Sequence, residues 1–321
     1  MGRRSTFFRP YSTPKRHFST ANANQKYRVT MATELDYISG STAIPKDCFS
    51  ISPSSLGRFF SEPHLWYREY FLNQPSFGQS TATVLGTCMH YVAECSVKGK
   101  EVDHLEIYKY IYEQCCRPSL AEFPADLDEA LEFLLANAKP EFDVYHIIEQ
   151  YPIMSATLLD TVATLTPTKA EELVASEVIP GVWAAGSIDL QCDSGSAIYD
   201  YKSTSALSAP KYIEYKHKLQ LLTYAYIKQK TGTPIKTINI IYVTTNQVNR
   251  VGTSGKPLAD YPSTATILTH YVTAEDMEFI ESLLKLVAET VLYVQANPST
   301  AYLLFKDYRL KSELPTPKFT F

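Results

Sequence analysis

Gly186-Ser187-Ile188-Asp189-Leu190 and Ile198-Tyr199-Asp200-Tyr201-Lys202, joined through Asp193-Ser194-Gly195-Ser196, form the stretch around which the rest of the chain arranges itself. Both flanks have β character and the middle is turn-forming, so a hairpin is predicted. Side chains along a strand repeat every two residues, which places Asp200 and Lys202 on one face. If the hairpin pairs about that turn, Asp189 lies across from them. Two carboxylates and an ammonium then share one patch of an otherwise apolar sheet. Unpaired buried charge is costly, so such a cluster calls for a metal or a mutual partner. Two Asp oxygens with nothing soft nearby suit a hard cation such as Mg²⁺.

The 321 residues are 45% hydrophobic and 12% aromatic, which fits a packed globular chain of enzyme size. There is no run of about 18 consecutive apolar residues, so a membrane span is not expected. Six cysteines without a C-x-x-C pair read as reduced thiols of an intracellular protein. The net charge of −4 argues against indiscriminate nucleic-acid binding, but its distribution is uneven. Residues 1–33 hold seven Lys/Arg and no acid, which leaves the remainder at −11. Residues 101–150 carry −9, whereas residues 201–250, directly downstream of Asp200, carry +7. A phosphate-bearing substrate is favoured at that basic flank.

Residues 1–33 are read as a basic, disordered arm; an extension preceding a start at Met31 and an organellar transit peptide are the competing readings. Ser52-Pro53 opens a helix-turn-helix bearing Phe59, Phe60, Trp66, Tyr67 and Tyr70, expected as core in preference to a base-stacking surface. A helix over about 82–97 sets Gly86, His90 and Glu94 on one face, with Gly86 permitting close approach of a backbone and His90 projecting into the gap. Acidic amphipathic helices are predicted at 105–116, 127–138 and around 144–151, punctuated by Pro124, Pro140 and Pro152. Strands follow at about 173–178, 182–190 and 197–202, then a helix starting at Pro210 with Gln220 and Tyr224 one turn apart. A strand at 238–243, an edge strand at 263–270 and a helix at 275–296 complete the pattern. The fold class is α/β, of the α+β mixed-sheet kind, with helices against the sheet. The domain expected over 34–300 has a helical part at about 50–165 and a sheet part at about 170–297, with 301–321 as a tail. No glycine-rich phosphate loop, G-x-S-x-G or H-E-x-x-H is present, which removes support for those enzyme classes.

A lone D-x-K is weak, but here it follows G-x-x-D, with a helical histidine upstream and Q-x-x-x-Y downstream. In that order the chain resembles the RecB-like branch of the PD-(D/E)XK nuclease superfamily. The matching elements are Gly86-Thr87-Cys88-Met89-His90, Gly186–Asp189, Asp200–Lys202 and Gln220–Tyr224, over roughly residues 50–245. The resemblance implies a restriction-endonuclease-like core with an N-terminal helical elaboration. It implies His90, Asp189, Asp200 and the Tyr201 carbonyl as metal ligands and Lys202 as the group that positions water or stabilises phosphate charge. Gln220 and Tyr224 would support the site or touch the nucleic acid; Glu94 and Glu177 are expected to be structural. Some relatives hold an iron–sulfur cluster through one N-terminal and three C-terminal cysteines. Here Glu62-Pro63 stands where Cys-Pro would be, and no cysteine follows Cys192, so no cluster is expected.

The chemistry agrees with these residue types, because phosphodiester hydrolysis needs an activated water and a clamp for developing charge. The expected function is a Mg²⁺-dependent DNA exonuclease of recombination, repair or replication, similar to stand-alone phage or viral exonucleases, with Mn²⁺ substituting. Structure- or sequence-specific endonuclease action, or nucleic-acid binding without catalysis, are the alternatives. DNA, single- or double-stranded and engaged at its ends, is the expected partner. A second copy of the chain, a single-strand-binding protein or a recombination protein are further candidates.

Overall fold

Capping residues start the helices where the sequence places them. Ser80, Asp103, Asp126 and Asp143 each accept a backbone N–H from the first turn that follows, satisfying donors that a helix start leaves free. The chain, seen as a computed structural model, is described over residues 38–39, 42–45, 47–74, 79–251 and 254–305. The 1–33 arm and residues 306–321 of the expected tail lie outside the described residues.

The short pair β1 (Ile38–Ser39) and β2 (Thr42–Ala43) is followed by β3 (Phe49–Ile51), α1 (Leu56–Ser61) and α2 (Pro63–Trp66). The helical part holds α3 (Thr81–Val97), α4 (His104–Cys115), α5 (Leu127–Asn137) and α6 (Val144–Val162). Then come β4 (Pro167–Ile179), β5 (Val182–Cys192), β6 (Ala197–Thr204), α7 (Tyr215–Lys230), β7 (Thr237–Thr244), β8 (Ala265–Tyr271), α8 (Ala274–Ala296) and α9 (Ala301–Phe305). None of the described helices is long and apolar enough to cross a membrane.

Three expectations are corrected. Pro152 does not end its helix; α6 runs through it to Val162. Proline forfeits one backbone bond there, but Ile147, Tyr151, Met154 and Leu158 bury a continuous stripe on both sides of it, and that packing outweighs the loss. The helix expected from Pro210 begins only at Tyr215, so residues 205–214 are a loop. A strand the sequence reading omitted, β3, pairs in parallel with the start of β5.

The sheet order is β3-β5-β6-β7-β8, with β4 on the other edge of β5. β6 and β7 are parallel and connected through α7, so the expected mixed sheet is observed. Ile188, Ile198, Ile238 and Ile240 pack under α7 and α8, while Leu190, Tyr199, Tyr201, Ile241 and Val243 pack under α3, α4 and α6. Helices thus cover both faces. The aromatics of the first helices join the α7 face: Trp66 is fully buried between Phe59 and Phe305 and donates to Ser55 Oγ at 3.2 Å. Phe59, Tyr67 and Tyr70 pack against the same core, whereas Phe60, expected in it, is 41% exposed and lies outside.

Candidate active site

One edge of β5 is paired at both ends and bare in the middle. β3 takes Val182–Ala184, and β6 takes Leu190–Cys192. Between them no strand among the described residues lies along Ala185–Asp189 on this edge. At Gly186 the space is filled by Tyr224 and Pro53; a Cβ there would meet the Tyr224 hydroxyl and Pro53 Cδ at 3.0 Å. Gly186 thus lets the tyrosine that α7 delivers pack closely on the strand. At Asp189, carboxylate Oδ2 accepts the Tyr201 N–H at 2.9 Å, replacing the strand bond that the splayed β6 no longer makes.

The pleat also breaks at this point. Ile188 and Leu190, two residues apart, pack in opposite cores. Directly across on β4, between the register pairs Ala170–Leu190 and Glu172–Ile188, Glu171 has φ +51°. A non-glycine residue held in the left-handed region costs on the order of 1–3 kcal/mol. That conformation brings the Glu171 carboxylate to Asp189, with Ser187 Oγ donating to it at 2.6 Å.

The third group comes from α3. His90 Nε2 lies 3.0 Å from the Tyr201 carbonyl, and its Nδ1 lies 3.4 Å from Asp189 Oδ2. A carbonyl only accepts, so Nε2 carries the proton and Nδ1 presents a lone pair in the neutral ring. Burial and the nearby Lys202 ammonium hold His90 below the usual histidine range, which favours that neutral form. A ring nitrogen of His90 and one oxygen each of Glu171 and Asp189 lie within 4.8 Å of one another. Burial, then the Asp200 charge, pushes the Asp189 carboxyl up to about 7. Burial, then Asp189, does the same to Glu171. Three converging lone pairs and mutually repelling carboxylates are the donor set that a divalent cation neutralises.

Asp200 is buried beside this trio. Gln220 Nε2 donates to its Oδ1 at 2.8 Å, and Lys202 Nζ lies 2.7 Å from its Oδ2. Burial works against the Lys202 charge, but the Asp200 and Asp189 carboxylates outweigh it and hold the ammonium above its ordinary value. The structure therefore gathers His90, Asp189, Asp200, Tyr201, Lys202, Gln220 and Tyr224 at one place. Within it the Tyr201 carbonyl is engaged by His90, and Asp200 by Gln220 and Lys202.

Glu94 and Glu177, expected to be structural, make local contacts, and the Gly86 expectation is corrected. Glu94 pairs with Lys98 at 2.6 Å, and Glu177 accepts the Gly181 N–H at the β4–β5 turn. A Cβ on Gly86 would make an ordinary 3.5 Å contact with Ser203 Oγ, so the close backbone approach predicted there is not what the glycine serves. Two residues were missed. Glu171 had no motif to mark it, although it lies opposite Asp189 across a hairpin. His217, one turn before Gln220 on the same face of α7, meets the Tyr242 hydroxyl at 3.0 Å. Tyr242 is the register partner of Lys202, and burial followed by the Lys202 charge lowers His217 to about 4.

The family model described as the PD-(D/E)XK nuclease superfamily matches residues 50–301. No curated protein matches the chain. Among solved structures, an exonuclease candidate from Eubacterium rectale is 15% identical with a TM-score of 0.46, covering 77% of this chain and 81% of its own. A phage-related exonuclease from Haemophilus somnus 129PT is 10% identical with a TM-score of 0.34, covering 78% and 97%. An alkaline exonuclease from Laribacter hongkongensis is 9% identical with a TM-score of 0.30, covering 68% and 97%.

Proposed function

The chain belongs to the PD-(D/E)XK nuclease superfamily, and from that premise we propose that it is a Mg²⁺-dependent exonuclease hydrolysing phosphodiester bonds of DNA in recombination, repair or replication. The observation that carries the reading is the convergence of His90, Glu171 and Asp189 within 4.8 Å, beside a lysine held charged. The exonuclease assignment rests on the ordered RecB-like pattern of His90, Gly186–Asp189, Asp200–Lys202 and Gln220–Tyr224.

His90, Glu171 and Asp189 would hold the divalent cation, with Asp200 adjacent and Mn²⁺ able to substitute. A cation held by these residues would supply a positive charge against the phosphate and would lower the pKa of water at the site. Lys202 contributes a fixed positive charge where phosphate oxygens gain negative charge. Gln220 orients Asp200 by its 2.8 Å hydrogen bond, and Asp200 in turn fixes the Lys202 head group. Tyr201 positions two groups through its backbone, donating to Asp189 and accepting from His90. The helix α7 therefore supports the site from behind.

The test uses end-labelled linear DNA and closed circular DNA, each with Mg²⁺, Mn²⁺ or EDTA. Linear DNA should be shortened only with a divalent metal, and circles should stay intact. Lys202→Ala and Asp200→Ala should each lower the rate by about 100-fold or more, the scale for losing a charge-stabilising group. Nicking of circles would replace the exonuclease by an endonuclease reading, and full activity in both variants would sink the site assignment.

A further inference from the structure

Helix α7 crosses the sheet obliquely, and one of its faces meets a different strand at each turn. His217 meets the Tyr242 hydroxyl on β7, and Gln220 meets the Asp200 carboxylate on β6. Tyr224 packs on Gly186 of β5, and Lys228 pairs with Glu172 of β4. Spaced three or four residues apart, the four share one helix face. Gln220, Tyr224 and Lys228 are spent on those contacts. His217 is not, because among the described residues its Nδ1 alone is engaged.

The proton on that ring can be placed. The Glu214 backbone N–H points to the Tyr242 oxygen, a donor left over at the start of α7. The phenol's own proton is then directed to His217 Nδ1, 3.0 Å away, so the neutral ring carries its hydrogen on Nε2. Burial and then the Lys202 charge keep the ring neutral, lowering it to about 4. Nε2 is neither hydrogen-bonded nor enclosed among the described residues. It is a donor open to a ligand.

Its neighbour on the sheet is Lys202. Tyr242, on which His217 rests, is the register partner of Lys202, and Lys202 is the charge that His217 feels most strongly. The ammonium has three N–H groups, has Asp200 as its ion-pair partner among the described residues, and leaves 25% of its side chain exposed. An ammonium and a ring N–H cannot bond to each other, and both call for an acceptor. A phosphodiester presents acceptor oxygens and a negative charge, which satisfies both donors.

We propose that His217 is a substrate-binding residue of the candidate site, donating from Nε2 to an oxygen of the phosphodiester that Lys202 meets. This deepens the nuclease reading and takes its ligand from it, whereas the residue is placed by its bond to Tyr242 and its closeness to Lys202.

The experiment titrates the full chain against 5′-fluorescein-labelled dT12 by anisotropy, with Ca²⁺ replacing Mg²⁺ at fixed salt. Cleavage of the same strand is then followed with Mg²⁺. His217→Phe keeps an aromatic ring and removes the donor, while His217→Gln keeps an N–H near the Nε2 position. The phenylalanine variant should bind dT12 about 10-fold more weakly, the scale of one hydrogen bond to a charged group. The glutamine variant should stay within about 3-fold of the parent, and single-turnover cleavage should follow the same order. Calorimetric Mn²⁺ affinity should be unchanged in both. Parent-like binding by the phenylalanine variant would overturn the proposal. Equal losses in both variants would also overturn it, leaving His217 as packing for Tyr242, and so would a weakened Mn²⁺ affinity, which would move His217 to the metal centre. A parent chain that binds dT12 but cleaves none would count against the nuclease reading alone, since the binding ratios still decide His217. A parent that binds no dT12 would overturn the inference itself.

Discussion

Glu171 is the residue on which the metal reading turns. Its carboxylate faces Asp189 and His90 from a backbone held at φ +51°, and such conformations persist where the surroundings fix them. Glu171→Gln keeps shape and removes charge. It is expected to weaken Mn²⁺ binding by about 10-fold or more in a calorimetric titration, and to raise the melting temperature without metal at pH 8, where the charged carboxylate opposes folding. Equal affinity in the variant would remove Glu171 from the ligand set. The residue was hard to find for a geometric reason. Counting back from the two-residue turn Pro180-Gly181 puts Glu172 opposite Asp189, but an irregularity between Glu177 and Ile179 shifts the register by one. Glu172 instead pairs with Lys169 and Lys228.

Elements were more legible than residues. The helices α3, α4, α5 and α8 and the strands β5, β6 and β7 fall close to their predicted places, because caps and periodicity are local signals. The start of α7, the continuation of α6 through Pro152 and the parallel β3 depend on tertiary packing and left little trace in the sequence. The entry to α8 shows how one side chain can tie elements together. Asp276 completes a capping box with Thr273 and also binds His270 of β8 at 2.7 Å and Lys218 of α7 at 3.0 Å. Burial pushes its carboxyl upward, but the hydrogen bonds from His270, Lys218 and the Thr273 backbone hold it well below the usual carboxylate range. A carboxyl lowered by folding stabilises above its unfolded pKa of about 3.9, and that stability is lost as pH falls. Asp276→Ala should therefore cost about 1–2 kcal/mol at neutral pH, and urea midpoints at pH 6 and pH 3 should fall less steeply in the variant than in the parent. A parallel fall would remove Asp276 as a source of acid sensitivity.

At the scale of the whole molecule, the site opposes folding when no cation is present. Asp189 and Glu171 are each raised to about 7, so the folded chain retains protons that the unfolded chain releases above about pH 4. A raised carboxyl favours folding at low pH and loses that contribution as pH climbs through the folded value. In EDTA, stability should decline from pH 5 to pH 8 through these groups, and the melting-temperature gain from Mn²⁺ should be larger at pH 8 than at pH 5. A gain independent of pH would mean that these two carboxylates do not bind the ion. The middle of β5 also has a meaning apart from hydrolysis. A sheet edge without a partner strand invites another chain to add one, and Ala185–Asp189 is such an edge inside the sheet. Tyr224 packs over the sheet face at Gly186, and the Asp189 carboxylate takes the neighbouring Tyr201 N–H. Tyr224 and Asp189 therefore also belong to the packing around that gap, apart from any part in hydrolysis.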